Sequence, residues 1–473
     1  MKQTTKTLVG LLALVIAAGA VGGLAFWANK DETAKTEAKE KSEKLFDFDK
    51  AHAKELRIEK DGKLSVALAK GDKGWKLLQP VQAEADDSAV DSLLGTLSGL
   101  KQKKDLADEK DLKSYGLDAP KLVVTVKLDD GKQQGLRAGM DNTFDSTLYV
   151  QKAGDATVRV VDGYVKANLD KSAFELRNKK VAHLDDAAEI KSVEVSGVKS
   201  PYALTKDGTT WKVGGALADG SAADRIVNAL KNLRATAVAS EDGAQPAQFG
   251  LDKPKASAKL SVGAGKDTYT RSIFIGQAKG GAPTSQKTYA RRDDSPVVYE
   301  VDAQILKDLE KEPFELQDKQ LVHADREAVR ELDFEGPSGT VKVSRQKPAL
   351  ADGGYAEETF AVTAPSAGAA KKWKISSALY SITALRATSF EGPVPKEKEL
   401  GKYGLDKPKT ATLLGDGGKV LARVRIGAEK DGKRWVLAEG VDKLSRVEKG
   451  TVDDWPWTAA DALEAPPTPQ ASK

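Results

Sequence analysis

The sequence predicts an α+β protein: an N-terminal transmembrane helix, then three tandem repeats, each a mostly antiparallel sheet with one amphipathic helix. Three observations predict the repeats. An aromatic-Gly-Leu-Asp-x-Pro string occurs at Tyr115–Pro120, Phe249–Pro254 and Tyr403–Pro408. Its spacings, about 134 and about 154 residues, are each the size of one small domain. Around every string lie stretches alternating apolar and polar with a period of two, the mark of half-buried strands, and before it lies one stretch with the helical period.

The N-terminus comes first in the chain. Lys2 and Lys6 precede an apolar run from Thr7 to Ala28 that closes on Phe26 and Trp27. At about 1.5 Å per residue, roughly 22 helical residues cross a hydrocarbon core of about 30 Å. Trp27 stands where an interfacial aromatic belongs, and the leading lysines against Asp31 and Glu32 place the N-terminus in the cytoplasm. The expected location is therefore the inner membrane, single-pass, with the bulk of the chain periplasmic. A cleaved signal peptide is the alternative, since Ala18-Gly19-Ala20 and Gly23-Leu24-Ala25 offer small-residue sites. Cutting at the first would leave an apolar end from Val21 to Trp27, which favours the anchor. From Asp31 to Lys44 acids precede bases at i,i+4, as in Glu37–Lys41 and Glu40–Lys44. This supports a helical stalk of about 20 Å, with a disordered polar spacer as the other reading.

The expected division is 1–30 anchor, 31–45 linker or stalk, 46–183, 184–323 and 324–460 as the three repeats, and 461–473 as a disordered tail. Each repeat opens with a strand whose inward residues are Leu56 and Ile58, Val193 and Val195, or Leu332 and Phe334. A second strand and a third with a large aromatic (Trp75, Trp211, Phe360) complete a meander. The helix follows, its apolar face made by Val90, Leu93, Leu94 and Leu97 in the first copy, by Ala223, Ile226, Val227 and Leu230 in the second, and by Ile375, Ala378, Leu379 and Ile382 in the third. Ser88 with Asp91 and Ser221 with Asp224 read as N-terminal caps; the third copy departs, with Trp373 at that position. In the string, Gly can take a positive φ and end a short helix such as Ala107 to Ser114, and Asp can bond backbone amides ahead of Pro. Four more strands are expected beyond it, with Gly139, Gly276 and Gly427 at one shared position that suggests a bulge or a positive φ. Copies one and two close with Phe174-Glu175-Leu176 and Phe314-Glu315-Leu316, then His183 and His323; copy three ends instead on Trp455-Pro456-Trp457 and a Pro-rich stretch from Ala465.

Composition narrows the chemistry. The 473 residues carry 74 Lys+Arg against 70 Asp+Glu, interspersed, and no basic stripe argues for nucleic acid. With no cysteine, disulfides, thiolate metal sites and cysteine nucleophiles are excluded. His52, His183 and His323 are the only histidines, too few for a histidine metal site or triad; the two at the joints between copies read as structural, bonding joint backbone. Gly263-Ala264-Gly265-Lys266 lacks the spacing of a phosphate loop, and Asp47-Phe48-Asp49 lacks the Gly and Glu of a calcium loop. Arg291-Arg292-Asp293-Asp294 reads as a solvated hairpin tip. Trp75, Trp211 and Trp373 could stack sugars if exposed, but the first two read as core. No catalytic, cofactor-binding or metal residue is singled out, and no cofactor or small-molecule substrate is expected.

The N-terminal anchor, Trp-x-(Leu/Val) before the helix (Trp75, Trp211), the Tyr-Gly-Leu-Asp-x-Pro string and the trailing Phe-Glu-Leu together resemble an uncharacterised bacterial family, domain of unknown function 4340, over about residues 46 to 460. The resemblance implies a membrane-anchored extracytoplasmic protein and, since some members lie beside ABC-type transporter or gliding-related components, an accessory role at the envelope; it carries over no catalytic residue. The expected function is a non-catalytic interaction or accessory protein of an envelope or transporter assembly, its partners the inner membrane and an envelope protein. The alternatives are a cell-wall or polysaccharide binder, which exposed Trp435, Trp455 and Trp457 would favour, and an envelope hydrolase, which needs a pair of carboxylates about 5–9.5 Å apart in a cleft.

Overall fold

Strands with a period of two recur in the same order three times. In a computed structural model, residues 43–465 are described, except 108, 110, 185–186, 264–267, 278–286 and 347–356. The expected anchor (7–28), the stalk up to 42 and the Pro-rich stretch from 466 lie outside them. Among the described residues no helix is long and apolar enough to cross a membrane.

The first repeat runs β1 (Ala53–Lys60), β2 (Lys63–Gly71), β3 (Gly74–Gln79), β4 (Ala83–Glu84), α1 (Asp87–Ser98), β5 (Lys104–Leu106), β6 (Leu122–Leu128), β7 (Gln133–Asn142), β8 (Thr147–Lys152), β9 (Val158–Asp162), α2 (Tyr164–Leu169) and α3 (Ala173–Leu176). The second has β10 (Ile190–Ser196), β11 (Tyr202–Asp207), β12 (Thr210–Val213), β13 (Ala216–Leu217), α4 (Gly220–Lys231), β14 (Ala235–Ser240), β15 (Ala256–Val262), β16 (Tyr269–Ile275), β17 (Lys287–Arg292), β18 (Val298–Asp302), α5 (Gln304–Leu309) and α6 (Pro313–Leu316). The third has β19 (Glu331–Gly336), β20 (Gly339–Gln346), β21 (Thr359–Ala364), β22 (Gly368–Ala369), α7 (Lys372–Thr383), β23 (Ser389–Pro393), β24 (Lys409–Leu414), β25 (Val420–Lys430), β26 (Lys433–Ala438), β27 (Lys443–Glu448), α8 (Lys449–Asp453) and α9 (Ala459–Ala462).

Each repeat forms one nine-stranded sheet; the first has the order β4-β3-β2-β1-β6-β7-β8-β9-β5, and the other two repeat it. The described pairings are antiparallel, and alternation along β6 buries Leu122, Val124, Val126 and Leu128 while the residues between them face outward. The long helix lays its apolar stripe on the sheet, with Val90, Leu93, Leu94 and Leu97 buried in α1 and Ile375, Ala378, Leu379 and Ile382 in α7.

Chain contacts divide the molecule into two compact units. One comprises Met1–Asp186, Asn232–Phe249 and Ala278–Asp302; the other comprises Ala187–Lys231, Gly250–Gln277 and Ala303–Lys473. The first unit holds the whole first sheet and its core cluster, with β14, β17 and β18. The second holds β10–β13, β15, β16, α4–α6 and the whole third sheet with its core.

Several expectations need correcting. Seven strands per copy become nine, because β4 and β5 are too short or too polar to show a period. The helix caps are Asp86 and Asp219, whose Oδ1 atoms accept from the amides of Ala89 (3.2 Å) and Ala222 (3.1 Å), rather than Ser88 and Ser221. Asp91 instead pairs with Lys50, and Asp224 accepts from the Trp211 indole N–H at 2.8 Å. In α7 the residue before the helix is Lys371, without a side-chain cap, and Trp373 lies in the first turn. The helix expected over 107–114 is a single 3-10 turn at Leu112–Tyr115 capped by Asp111. The tail is not wholly unstructured from 461: Asp461 and Ala462 lie in α9, and Leu463 bridges to Ala370.

The recurring string works differently from expectation at its Asp. Gly116, Gly250 and Gly404 do take positive φ (66°, 63° and 65°), and the following leucines 117, 251 and 405 are buried. Asp118, Asp252 and Asp406, however, are exposed and make no side-chain hydrogen bond among the described residues. The shared glycine after the string marks a bulge without a positive φ: the strand register slips after Ala138 and after Ile426. There a Cβ on Gly139 would stand 2.1 Å from the Tyr115 carbonyl oxygen, and one on Gly427 would stand 2.2 Å from that of Tyr403. The string's aromatic then packs edge-on against the next strand: Tyr115 on Tyr149 at 4.7 Å, Phe249 on Tyr289 at 5.0 Å and Tyr403 on Trp435 at 4.9 Å. String and bulge are one device, a backbone-on-backbone contact that only glycine permits.

Gly139→Ala and Gly427→Ala should each lower the unfolding free energy in urea by about 1–3 kcal/mol, as overpacking against fixed backbone does. Gly95→Ala, in α1 with nothing within 4 Å of the new methyl, should raise it by up to about 1 kcal/mol.

Candidate functional site

The places where polar and aromatic side chains converge are the joints between repeats. Each is built on two short backbone exchanges. In the first, the turn α3 ends and Arg177 bridges to Ala85, with the Asp86 amide donating to the Leu176 carbonyl at 2.8 Å. Three residues on, Lys180 bridges to Arg234, with the Val181 amide on the Leu233 carbonyl and the Ala235 amide on the Lys179 carbonyl, both 2.8 Å. The second joint repeats this with Gln317 and Ala218, then Gln320 and Arg386. The first joint lies wholly in the first unit and the second wholly in the second.

The ends of the described chain copy the same pattern. Lys44 bridges to Lys101 ahead of the first repeat, and Leu463 bridges to Ala370 after the last. The closing turn keeps its capping box with different letters each time: Ser172 with Glu175, Glu312 with Glu315, and Thr458 with Asp461.

Ion pairs reinforce the joints. The Arg of Leu233-Arg234-Ala235-Thr236 and of Leu385-Arg386-Ala387-Thr388 reaches back to the cap of the preceding repeat's long helix: Arg234 to Asp86 at 3.3 Å and Arg386 to Asp219 at 3.0 Å. The cap carboxylate therefore serves its own helix and the next repeat together. The joint histidines bond acids, not backbone as expected. His183, with 8% of its side chain exposed and φ 48°, sets Nδ1 at 2.7 Å from Glu84 Oε2. This bond holds the Glu84 carboxyl below the ordinary carboxylate range. His323 lies 3.4 Å from Asp318 and is half exposed, because Leu217 stands at the position that Glu84 has in the first joint. Beside the first joint is an open polar cavity of about 540 Å³ lined by Trp75, Glu84, Asp86, Asp87, Asn178 and Arg234, among others. Its carboxylates are already bonded: Asp87 accepts from the Trp75 amide, and Glu84 and Asp86 have the partners above.

The joints differ at one buried position. In the first, Arg177 is 4% exposed, places Nη1 at 2.7 and 3.0 Å from the Glu241 oxygens, and lies over the Tyr299 ring at 5.5 Å. In the second, Gln317 takes its place, and an open groove lies there.

Other candidates disperse. His52 is exposed and bonds Asp129 at 2.7 Å, which raises its pKa. Asp49 caps a 3-10 turn through the Ala51 amide. Arg292 pairs with Asp294 at the expected hairpin tip. Gly263 follows β15, and 264–266 lie outside the described residues. Trp75 and Trp211 are core, as expected, but Trp455 (2% exposed) and Trp457 (6%) are buried as well, and Trp435 is half-buried. Trp373 is 70% exposed. One carboxylate pair that sequence reading passed over exists: Glu331 and Asp333, two apart on β19, share Lys342 at 3.7 and 3.1 Å. Burial and the neighbouring Asp333 push the Glu331 carboxyl up. Alternation along β19 would have put both on one face, but acids of that spacing are common on solvated strands. Among the described residues no group of three or more His, Asp or Glu could hold a metal ion.

A family model described as "Domain of unknown function (DUF4340)" matches residues 75–246 and 214–408. The chain belongs to this family. The DUF4340 matches start at Trp75 and end at Pro408, narrower than the resemblance read from the motifs, and each runs across a joint. No curated protein matches the chain, and no solved structure does.

The Glu84–His183 contact predicts an acid limb. A carboxyl held low in the folded state stabilises fully above its unfolded pKa and loses that contribution as pH falls through the lowered value. Glu84→Gln should therefore lower the urea midpoint at pH 6, and the difference from wild type should shrink as pH falls through the lowered carboxyl value.

Proposed function

We propose that this DUF4340 protein is a non-catalytic, membrane-anchored interaction protein on the periplasmic side of the inner membrane, an accessory of an envelope assembly of the transporter-associated or gliding-related kind. The observation that carries the reading is the pair of joints, in which the cap carboxylate, the closing turn and the incoming segment are committed to holding successive repeats together. The polar side chains that recur at the joints, Asp86 with Arg234 and Asp219 with Arg386, are engaged in folding contacts, which suits a scaffold that presents surfaces. The apolar run 7–28 behind Lys2 and Lys6 supports the anchor and its orientation.

A second reading, a glycan binder, is favoured by one observation. Trp373 (70% exposed) and Tyr380 (63%) stand seven residues apart on the outward face of α7, about 10.5 Å along the axis. The matched positions of α1 are Ser88 and Gly95, and those of α4 are Ser221 and Asn228, so these aromatics are particular to the third repeat. Trp455 and Trp457, being buried, contribute nothing to it.

A disulfide-dependent reporter fused after Lys473 should be active in cells, since it matures only outside the reducing cytoplasm. Crosslinking in intact cells followed by membrane pull-down should recover envelope proteins; an inactive reporter or an empty pull-down would overturn the first reading. For the second, wild type should be retained on insoluble cell-wall glycan and Trp373→Ala should be released at least tenfold more readily; equal behaviour removes it.

A further inference from the structure

The second joint carries a groove that the first joint has closed. Two cavities of about 630 and 520 Å³ in the second unit share Pro313, Gln317, Asp442 and Lys443 and so form one trough. Phe314 and Phe390 wall one half, packed edge to face at 5.4 Å. Tyr202 walls the other, its ring fixed by the hydroxyl's donation to the Leu309 carbonyl at 3.0 Å. Pro201, Pro313 and Pro393 complete the apolar wall, with the donors Ser200, Lys311, Gln317 and Lys443 set among them.

The first joint shows why the trough is open. Counting from Phe-Glu-Leu sets Arg177 against Gln317, and counting from Leu-Arg-Ala-Thr sets Glu241 against Pro393; strand pairing sets Tyr299 against Ser445, since Tyr299 pairs with Val238 as Ser445 pairs with Phe390. There the buried Arg177 fills the space, held by Glu241 and stacked on Tyr299. All three members of that plug are absent from the second joint. In its place are a carboxamide on Gln317 and a carboxylate on Asp442, neither with a side-chain hydrogen bond among the described residues, and the Lys443 ammonium 5.0 Å from the Phe390 centroid.

We propose that this trough binds a proline-rich, extended segment of a partner protein that carries a basic residue beside its prolines. A polyproline II strand has no internal hydrogen bonds, so its carbonyls need donors from outside, and proline has no N–H to satisfy in return. Gln317 and Lys443 are such donors between aromatic and proline walls, the surface this conformation docks on. Asp442 is the counter-charge for the basic residue. The chain's own prolines are a poor source: Leu463 leaves from Ala370 beside β22, while the trough is lined by β23, and these strands are the two opposite edges of the third sheet. The inference rests on the interaction-protein reading and names the chemistry of its partner.

The probe is a labelled peptide with the sequence of residues 464–473, which has Pro466, Pro467, Pro469 and Lys473, titrated by fluorescence anisotropy into the full chain in detergent. Saturable binding is expected, and a version with its three prolines replaced by alanine should bind at least tenfold more weakly. Gln317→Arg with Pro393→Glu and Ser445→Tyr rebuilds the first joint's plug; it should abolish binding with an unchanged or higher thermal midpoint. No saturable binding, or equal binding by the plugged variant, overturns the proposal. In a full chain with Pro466, Pro467 and Pro469 replaced by serine, unchanged affinity supports a partner's segment. Markedly tighter binding would mean that the chain's own tail had been competing, and would overturn the partner assignment. If crosslinking still recovers envelope partners from cells carrying the plugged variant, the interaction reading stands and only the trough falls.

Discussion

The rest of the structure depends on the backbone exchange at each joint. Two antiparallel hydrogen bonds tie the segment after one closing turn to the end of the next long helix: Val181 and Ala235 in the first joint, Leu321 and Ala387 in the second. A repeat of this protein therefore holds a piece of backbone that precedes its own first strand. Remove it, and the amide and carbonyl groups at the helix end lose their partners, which in a buried setting costs more than the bond itself contributed. The same logic accounts for 43–45 ahead of the first repeat, where Leu45 bonds the Leu100 carbonyl. It also accounts for the family matches, which run through the joints instead of stopping at them.

Much of this architecture is legible in the letters. Leu56 and Ile58, Val193 and Val195, and Leu332 and Phe334 announce a strand because a sheet with one buried face needs that alternation. The repeated string announces the repeat because Gly116, Gly250 and Gly404 need a left-handed backbone, and their leucines must be buried. What could not be read falls into two physical kinds. Strands of two or three residues, such as β4 and β5, have no period to detect. Backbone exchanges use no side chain, so the third copy's closing turn hid behind Thr458 and Asp461, although it makes the capping box that Ser172 and Glu175 make.

The sites were less legible for a third reason. The trough, the Arg177 plug and the Glu84–His183 pair each depend on residues far apart in the chain, and no local pattern brings them together. His183 and His323 match in sequence, yet one is buried against Glu84 and the other half exposed. The difference lies in Leu217, more than a hundred residues before His323. Likewise only the fold shows that Trp455 and Trp457 turn inward, with the Trp457 indole donating to the Val452 carbonyl at 2.8 Å, while Trp373 turns outward.

The direction of the joint segments bears on how the molecule is made. Each repeat takes its borrowed piece from the upstream side: 43–45, then 179–181, then 319–321. A ribosome therefore always delivers that piece before the repeat that needs it. The C-terminal end of each long helix can thus be closed as it emerges, without waiting for chain still to be synthesised.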